Sequence, residues 1–269
     1  MFTHCFAISA YGDSPYLETC IRSLKEQRGL KAQVILCTST PSPFLEELAL
    51  KYSLPYYVRE GKSSLQEDWN FAVEKAVYEK HAEYVTVAHQ DDVYRPDYLK
   101  ALRAAVSIYP DLSLFCTRYR TIDKDGQPVF GKAENVKRLL RLPLRLRGLA
   151  DRRWVKRAAL CLGNSIGCPS CTYHIAPDRR EKELPLFRKD YHFVIDWDTL
   201  LRLADQPGRF VCLEKELLDY RVHDQAETRK NIDNHVREKE ETEMFRRLWP
   251  GPVAGFLMHF YKGAYSAYQ

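Results

Sequence analysis

Two adjacent acidic residues, Asp91 and Asp92, directly follow an apolar run of β-forming residues, YVTVA at 84–88. Carboxylates crowded at the tip of a buried strand repel each other unless a cation lies beside them. Mg²⁺ and Mn²⁺ prefer oxygen ligands, and either ion can stabilise the charge that develops on a departing diphosphate. The pair therefore predicts a divalent-metal site that binds a diphosphate. The alternative is that both acids only cap the helix that begins near Pro96.

The absence of glycine-rich phosphate loops narrows the possible ligands. The sequence has no G-x-G-x-x-G after its first predicted strand and no G-x-x-x-x-G-K-[ST]. Those turns hold phosphates on backbone amides in dinucleotide-binding proteins and nucleoside triphosphatases. Without them, a bound diphosphate needs a metal ion as its counter-charge. A sugar-phosphate nucleotidyltransferase would also want a glycine- and arginine-rich loop after the first strand, and ISAYGDSPY is not one.

Short β-rich runs alternate with helical patterns over the first 120 residues. Apolar residues recur at helical spacing between the runs, and Ser14, Ser42 and Ser64 are the predicted N-caps. This alternation predicts an α/β fold with a mainly parallel, Rossmann-like sheet and helices on both faces. Ligands of such sheets bind beyond the carboxyl ends of the strands. The predicted strands are 6–11, 34–38, 56–59, 84–88 and 112–117.

Past residue 120 the alternation stops. DKDG at 123–126 predicts a tight turn, and GNSIGCPSCTY at 163–173 predicts a loop that runs into a strand. A helix from Asp196 to Ala204 follows. The remaining predicted elements are two strands at 210–213 and 217–222, a charged helix at 234–249 and an aromatic tail.

Composition is that of an ordinary globular protein. The chain has 269 residues, 45% of them hydrophobic, and a net charge of +5. No run of eighteen apolar residues and no signal-peptide pattern is present, so a cytoplasmic location is expected. Among the eight cysteines, Cys168 and Cys171 form a C-x-x-C. A structural zinc site would need a second such pair, so reduced core thiols are predicted instead.

Positive charge is concentrated in residues 132–157, which contain ten basic residues against two acids, Glu134 and Asp151. The stretch is also rich in leucine. It is either the solvated face of a helix or a peripheral contact with anionic lipid at the inner face of the membrane. Because no nucleic-acid-binding motif accompanies the charge, nucleic acid is not an expected partner. The tail could assist membrane contact through Phe256, Leu257, Phe260, Tyr261, Tyr265 and Tyr268.

Five segments resemble, in order, the motifs of family 2 glycosyltransferases, which have the GT-A fold. The D-x-D strand of that family resembles YVTVAHQDDVYRPDYL, and its E-D-x-x-L-x-x-R-L helix resembles FVIDWDTLLRLA. The closing L-x-x-Y-R-x-H resembles ELLDYRVHDQAET. The family's first strand and helix resemble ISAYGDSPYLETCIRSL, and its third helix resembles GKSSLQEDWNFAVEKA.

The resemblance implies an inverting, metal-dependent hexosyltransferase that uses Mn²⁺ or Mg²⁺. Asp91 and His223 would bind the ion, and Asp196 would be the general base that accepts the proton of the acceptor hydroxyl. The acceptor would be a glycan or a lipid-linked saccharide in cell-surface polysaccharide synthesis. The donor, a nucleoside-diphosphate sugar, would contact Ala10, Tyr11, Thr38, Ser39, Trp69, His89, Asp92 and Arg221.

The implied organisation has three parts. Residues 1–120 would be the nucleotide-sugar-binding half, 121–230 the acceptor-binding and catalytic-base half, and 231–269 a C-terminal helical tail. Two positions depart from the family pattern. His89 replaces the first acid of the usual D-x-D-D, and Thr38-Ser39 replaces the acid after the second strand.

Those departures permit an alternative, a non-catalytic nucleotide-binding or membrane-docking module with a degenerate glycosyltransferase fold. Individual residues also have structural alternatives. Asp196 could cap its helix without a catalytic duty. His223, Trp69 and Tyr11 could be packing residues.

Overall fold

In the computed structural model, which describes residues 2–130, 132–223 and 236–263, eight strands form one sheet. Its spatial order is β3-β2-β1-β4-β7-β6-β8-β5. The strands are β1 (His4–Ala10), β2 (Gln33–Thr38), β3 (Tyr56–Val58), β4 (Tyr84–His89), β5 (Val93–Tyr94), β6 (Leu112–Ile122), β7 (Thr172–His174) and β8 (Arg209–Arg221).

Helices connect and cover these strands. The first four are α1 (Leu17–Lys25), α2 (Pro43–Lys51), α3 (Leu65–Glu79) and α4 (Tyr98–Ile108). The later ones are α5 (Lys132–Leu140), α6 (Arg153–Ala158), α7 (Arg180–Glu183), α8 (Ile195–Ala204), α9 (Val236–Leu248) and α10 (Gly251–Gly263).

The predicted α/β sheet is confirmed. β3, β2, β1 and β4 run parallel, with Ala10 paired to Thr38 and Ser9 to His89. The carboxyl ends of these strands therefore meet at one edge. β6 and β8 are also parallel, whereas β5 and β7 run antiparallel to their neighbours.

Side chains that alternate along β1 pack into two core layers, one on each face of the sheet. Cys5 and Ala7 belong to the cluster formed with α3, α6 and α8 to α10. Phe6, Ile8 and Ala10 belong to the cluster formed with α1, α2 and α4. Because successive side chains on a strand point to opposite faces, a sheet covered on both sides reads as a nearly continuous apolar run.

The two predicted strands at 210–213 and 217–222 form the single strand β8. Thr117 of β6 pairs with Leu213, but the next residue, Arg118, pairs with Glu216. Two extra residues on β8 are therefore accommodated in a bulge, which interrupts the apolar pattern without ending the strand. The result is one long ladder that carries the chain from the core to Arg221.

Two of the three predicted N-caps are confirmed. The backbone N–H of Leu45 donates to Ser42, and that of Glu67 donates to Ser64, each at 3.3 Å. The prediction for Ser14 is wrong, because α1 begins at Leu17 and its N-cap is Tyr16. The Ser14 hydroxyl accepts the Tyr16 N–H at 3.3 Å in the turn before α1, and it donates to the carboxylate of Asp91 at 3.0 Å, across 77 positions of sequence.

The aromatic tail forms part of α10, whose two faces differ. Leu257 and Tyr261 pack against the core, while Phe256 and Phe260 are each 64% exposed. Of these four residues, Phe256 and Phe260 are the ones exposed for the membrane contact expected of the tail, and that contact stays a prediction. Tyr265 and Tyr268 lie outside the described residues. Within the described ranges, no helix combines the length and apolar character needed to cross a bilayer.

Candidate active site

Asp91 lies in the turn after β4, where its carboxylate joins two other segments. Oδ1 accepts the Ser14 hydroxyl at 3.0 Å, and Oδ2 lies 3.1 Å from Nε2 of His223. Ser14 belongs to the loop after β1, and His223 comes two residues after β8. Both Asp91 and His223 remain partly exposed. The structure thus brings the two predicted metal ligands into contact.

Arg221 holds the turn after β4 through several hydrogen bonds. Its backbone N–H donates to Asp92 Oδ1 at 2.9 Å, and its Nε donates to the Asp91 carbonyl at 2.9 Å. Nη1 donates to the carbonyls of Asp123 and Lys124 in the predicted tight turn. The guanidinium also lies 4.5 Å from the ring centroid of Tyr16. Arg221 is almost fully buried, and its hydrogen bonds hold the turn in place.

Asp92 points away from solvent. It is 1% exposed, and burial raises the pKa of its carboxyl well above the usual range. Oδ1 accepts the Arg221 amide, whereas Oδ2 has no hydrogen-bond partner in the described part of the chain. In this arrangement Asp92 supports the turn that presents Asp91. Its predicted contact with the donor stays a prediction.

A divalent ion is compatible with the residues at this edge. Asp91 and His223 offer an oxygen and a nitrogen on adjacent side chains. The described residues contain no group of three or more potential ligands. The remaining ligands would be diphosphate oxygens and water, as is usual for Mg²⁺ bound with nucleotides.

Tyr11 lies at the carboxyl end of β1, where hydrogen bonds hold its backbone and its ring is exposed. The side-chain amide of Gln90 accepts from the Tyr11 N–H and donates to the Tyr11 carbonyl, both at 3.0 Å. The Tyr11 side chain is 57% exposed. Ala10, just before it, is buried. Tyr11 is thus placed where a base could stack on it.

His89 and Trp69 form a stacked pair next to the turn. Their ring centroids lie 5.0 Å apart with an interplanar angle of 29°. Trp69 is buried and also packs edge-on against Phe187. Burial lowers the pKa of His89 to about 4, so its imidazole is neutral near pH 7. The family acid is therefore replaced by an uncharged, partly buried ring that stacks on Trp69.

Asp68 provides an acid at the end of β2 that sequence reasoning missed. Its carboxylate accepts the hydroxyls of Ser39 and Ser63 at 2.9 and 2.7 Å, and Nε of Arg59 at 2.8 Å. Thr38, the residue before Ser39, is buried and contacts Thr40. The residue after β2 thus has a carboxylate partner, supplied from α3 rather than from the strand. Because Asp68 lies directly after the capping pattern at Ser64, the sequence alone did not indicate its contact with Ser39.

Asp196 lies in the first turn of α8. Oδ2 accepts the side-chain amide of Asn164 at 2.7 Å, and Oδ1 accepts the Trp197 N–H at 2.8 Å. Burial raises the pKa of the Asp196 carboxyl to about 6, although these bonds and the charge of Lys137 oppose the rise. Asp196 as a whole residue is partly exposed. A carboxylate of this basicity can accept a proton at neutral pH.

The second acid of that helix is engaged elsewhere. Asp198 is 1% exposed and pairs with Arg202 at 3.0 Å and with Arg247 at 2.6 Å. Arg247 belongs to α9, so this ion pair ties the last part of the chain to α8. Of the two acids, Asp196 is therefore the one available to a ligand.

Glu240 of α9 holds the entry to α8, a role without any local sequence signal. Its carboxylate accepts the backbone N–H groups of His192, Phe193 and Val194 at 2.8, 2.7 and 3.1 Å. Glu240 is 7% exposed. Three backbone donors thus depend on one side chain from a distant helix.

The sheet and its covering helices have the GT-A architecture. The chain belongs to glycosyl transferase family 2, because the sequence model of that family matches residues 5–156. No curated protein matches the sequence.

Solved structures share the fold at low sequence identity. TarS from S. aureus in complex with UDP-GlcNAc has a TM-score of 0.61 at 13% identity, covering 99% of this chain and 73% of that chain. The mannosyltransferase PcManGT from Pyrobaculum calidifontis, in complex with GDP-Man and Mn²⁺, has a TM-score of 0.63 at 14% identity, with coverages of 96% and 68%. Glucosyl-3-phosphoglycerate synthase from Mycobacterium tuberculosis, in complex with Mn²⁺, UDP and glucosyl-3-phosphoglycerate, has a TM-score of 0.58 at 13% identity, with coverages of 92% and 80%.

Replacing Glu240 by glutamine tests its hold on α8. Glu240→Gln removes the charge and turns an NH₂ group toward a backbone N–H, so unfolding should cost about 2 kcal/mol less. Urea denaturation measures this difference. Glu243→Gln is the matched control, since Glu243 is exposed and its amide can still accept the Tyr191 hydroxyl. Equal midpoints for the two variants would remove Glu240 from this role.

Proposed function

We propose that this protein is an inverting glycosyltransferase that moves a sugar from a nucleoside-diphosphate sugar to a glycan or lipid-linked saccharide in cell-surface polysaccharide synthesis. The observation that carries the proposal is the convergence of Ser14, Asp91 and His223 at the carboxyl edge of a parallel sheet. Family membership and the nucleotide-sugar complexes of structures with the same fold support it.

The proposed site binds the donor at the ends of β1, β2 and β4. Tyr11 packs against the base, and Ser39 faces the same edge. Asp91 and His223 hold Mn²⁺ or Mg²⁺, which when bound supplies positive charge to the departing diphosphate. This edge is supported by the side chains packed around it, which are Arg221, Asp92, Trp69 and His89. The half from 1 to 120 thus serves the donor.

Proton transfer falls to Asp196 in the 121–230 half. Its carboxylate accepts the proton of the acceptor hydroxyl as the hydroxyl oxygen bonds to the anomeric carbon. The bond from that carbon to the diphosphate oxygen breaks in the same in-line step, which inverts the configuration. Asn164 orients the carboxylate through its amide. Within the tail from 231 to 269, α9 steadies the helix that carries the base through Glu240 and Arg247.

Asp91→Asn tests the metal site by calorimetry. The amide keeps the shape but loses the charge, so Mn²⁺ should no longer strengthen the binding of UDP-GlcNAc or GDP-Man, a loss of at least about tenfold. Asp97→Asn is the control, because Asp97 is an exposed acid paired with Arg28. If the Asp91 variant and the wild type show the same Mn²⁺ dependence, Asp91 does not bind the ion.

Asp196→Asn tests the base. Transfer should fall by about 10²- to 10⁴-fold because the amide cannot accept a proton, while donor affinity stays unchanged. Product formation by mass spectrometry and donor titration measure the two quantities. A variant with near-normal turnover would exclude Asp196 as the base.

The pH profile of turnover tests the basicity of the same group. A base with a pKa of about 6 is protonated below that pH, so kcat should fall as pH drops through about 6. Asn164→Ala removes a bond that favours the charged carboxylate, so its acidic limb should move to higher pH. An acidic limb at the same pH in both proteins would contradict the role assigned to Asn164.

A further inference from the structure

Exposed arginines and large apolar side chains follow one another from residue 146 to 154, in the chain that leads from the turns after α5 into the first turn of α6. Leu146, Leu149 and Trp154 are 53%, 40% and 61% exposed. Arg147, Arg152 and Arg153 lie among them and are also exposed. We call these six residues the arginine–leucine surface. Large exposed apolar side chains bordered by positive charge are typical of surfaces that contact a partner or a membrane.

The backbone beneath this surface is firmly anchored. Leu144 and Ala150 are each 1% exposed, so the short turns between them bury one set of residues and present another. Lys156 is fully buried and donates to the carbonyls of Gln206 and Gly208 at 2.6 and 2.8 Å. The outward leucines and Trp154 are therefore held on a fixed platform.

The charges of the surface are available to an anionic partner. Arg152 and Arg153 have side chains that are 65% and 67% exposed, and their carboxylate partners, Asp151 and Asp205, are also partly exposed. Exposed ion pairs contribute little in water, so phosphate groups can replace these partners. Arg147 has no acidic partner within the described ranges of the chain.

The platform is joined to the acceptor side of the proposed site. Arg141 is 1% exposed; its Nη1 donates to the Ser165 carbonyl at 2.6 Å, and its Nη2 donates to Glu134 at 2.7 Å. Asn164, the residue before Ser165, binds Asp196. A saccharide on a lipid stays close to the head groups, so the base must approach the membrane to reach it.

We propose that the arginine–leucine surface docks this protein onto an anionic bilayer and brings Asp196 to a lipid-linked acceptor. Leucine and tryptophan side chains enter the interface, and the guanidinium groups bind lipid phosphates, a combination that suits such a boundary. The identity of the acceptor rests on the proposed function, whereas docking itself does not.

Vesicle sedimentation tests the docking. The full chain should sediment with phosphatidylcholine vesicles that contain phosphatidylglycerol, and much less with phosphatidylcholine alone or at high salt. The double variant Arg147→Glu/Arg152→Glu should bind the anionic vesicles at least about tenfold more weakly. Leu146→Ser/Leu149→Ser should lose roughly tenfold through the apolar contribution.

Matched controls lie on the opposite helical layer. Leu50 of α2 and Ile108 of α4 are 81% and 66% exposed, so Leu50→Ser/Ile108→Ser removes similar apolar area without an expected effect. Lys25→Glu/Arg28→Glu is the control for charge. Thermal unfolding establishes that each variant is folded, and calorimetry with UDP and Mn²⁺ establishes that its donor site is intact.

The outcomes separate docking from the proposed chemistry. A wild-type chain that stays in the supernatant with anionic vesicles, or controls that lose as much binding as the surface variants, would overturn the docking. Self-association without vesicles that the surface variants abolish would make the surface a dimer interface and would also overturn it. Vesicle binding without Mn²⁺-dependent binding of either UDP or GDP would leave docking intact and defeat the proposed function.

Discussion

The candidate site depends on the way Arg221 holds the turn after β4. Its guanidinium and backbone N–H together bind the Asp91 carbonyl, the Asp92 carboxylate and the DKDG turn. Because a guanidinium keeps its charge and presents several donors in a fixed plane, it can organise carbonyls from separate segments. The ends of β4 and β8 are thereby fixed together, so that the Asp91 carboxylate meets His223.

The two acids in the first turn of α8 have different roles. One acid, Asp198, is neutralised by Arg202 and Arg247 and serves the packing of α9. The other, Asp196, is held by Asn164 in a setting that makes it more basic than a solvated carboxylate. Burial supplies the basicity and hydrogen bonding supplies the orientation. Two acids on one helical turn therefore acquire different properties from their surroundings.

Local patterns predicted most of the sheet, because apolar runs and helical spacing are properties of neighbouring residues. They failed where a side chain had a distant partner. Ser14 precedes a proline and resembles an N-cap, but its hydroxyl lies within reach of Asp91. Asp68 and Glu240 carry no local sign of their contacts with Ser39 and with the chain before α8. Asp91 and Asp196 were proposed from motifs, which encode such long-range contacts indirectly, and their roles stay predictions.

The hold of Glu240 on the chain before α8 has a consequence for biosynthesis. During translation, the strands β1 to β4 emerge early and can pair with one another through contacts already present in the nascent chain. The N–H groups of 192–194 find their acceptor only after residue 240 has left the ribosome. The chain before α8, the helix that bears Asp196, is therefore fixed late, so a stalled or shortened nascent chain contains the carboxyl edge of β1 to β4 without a fixed start of α8.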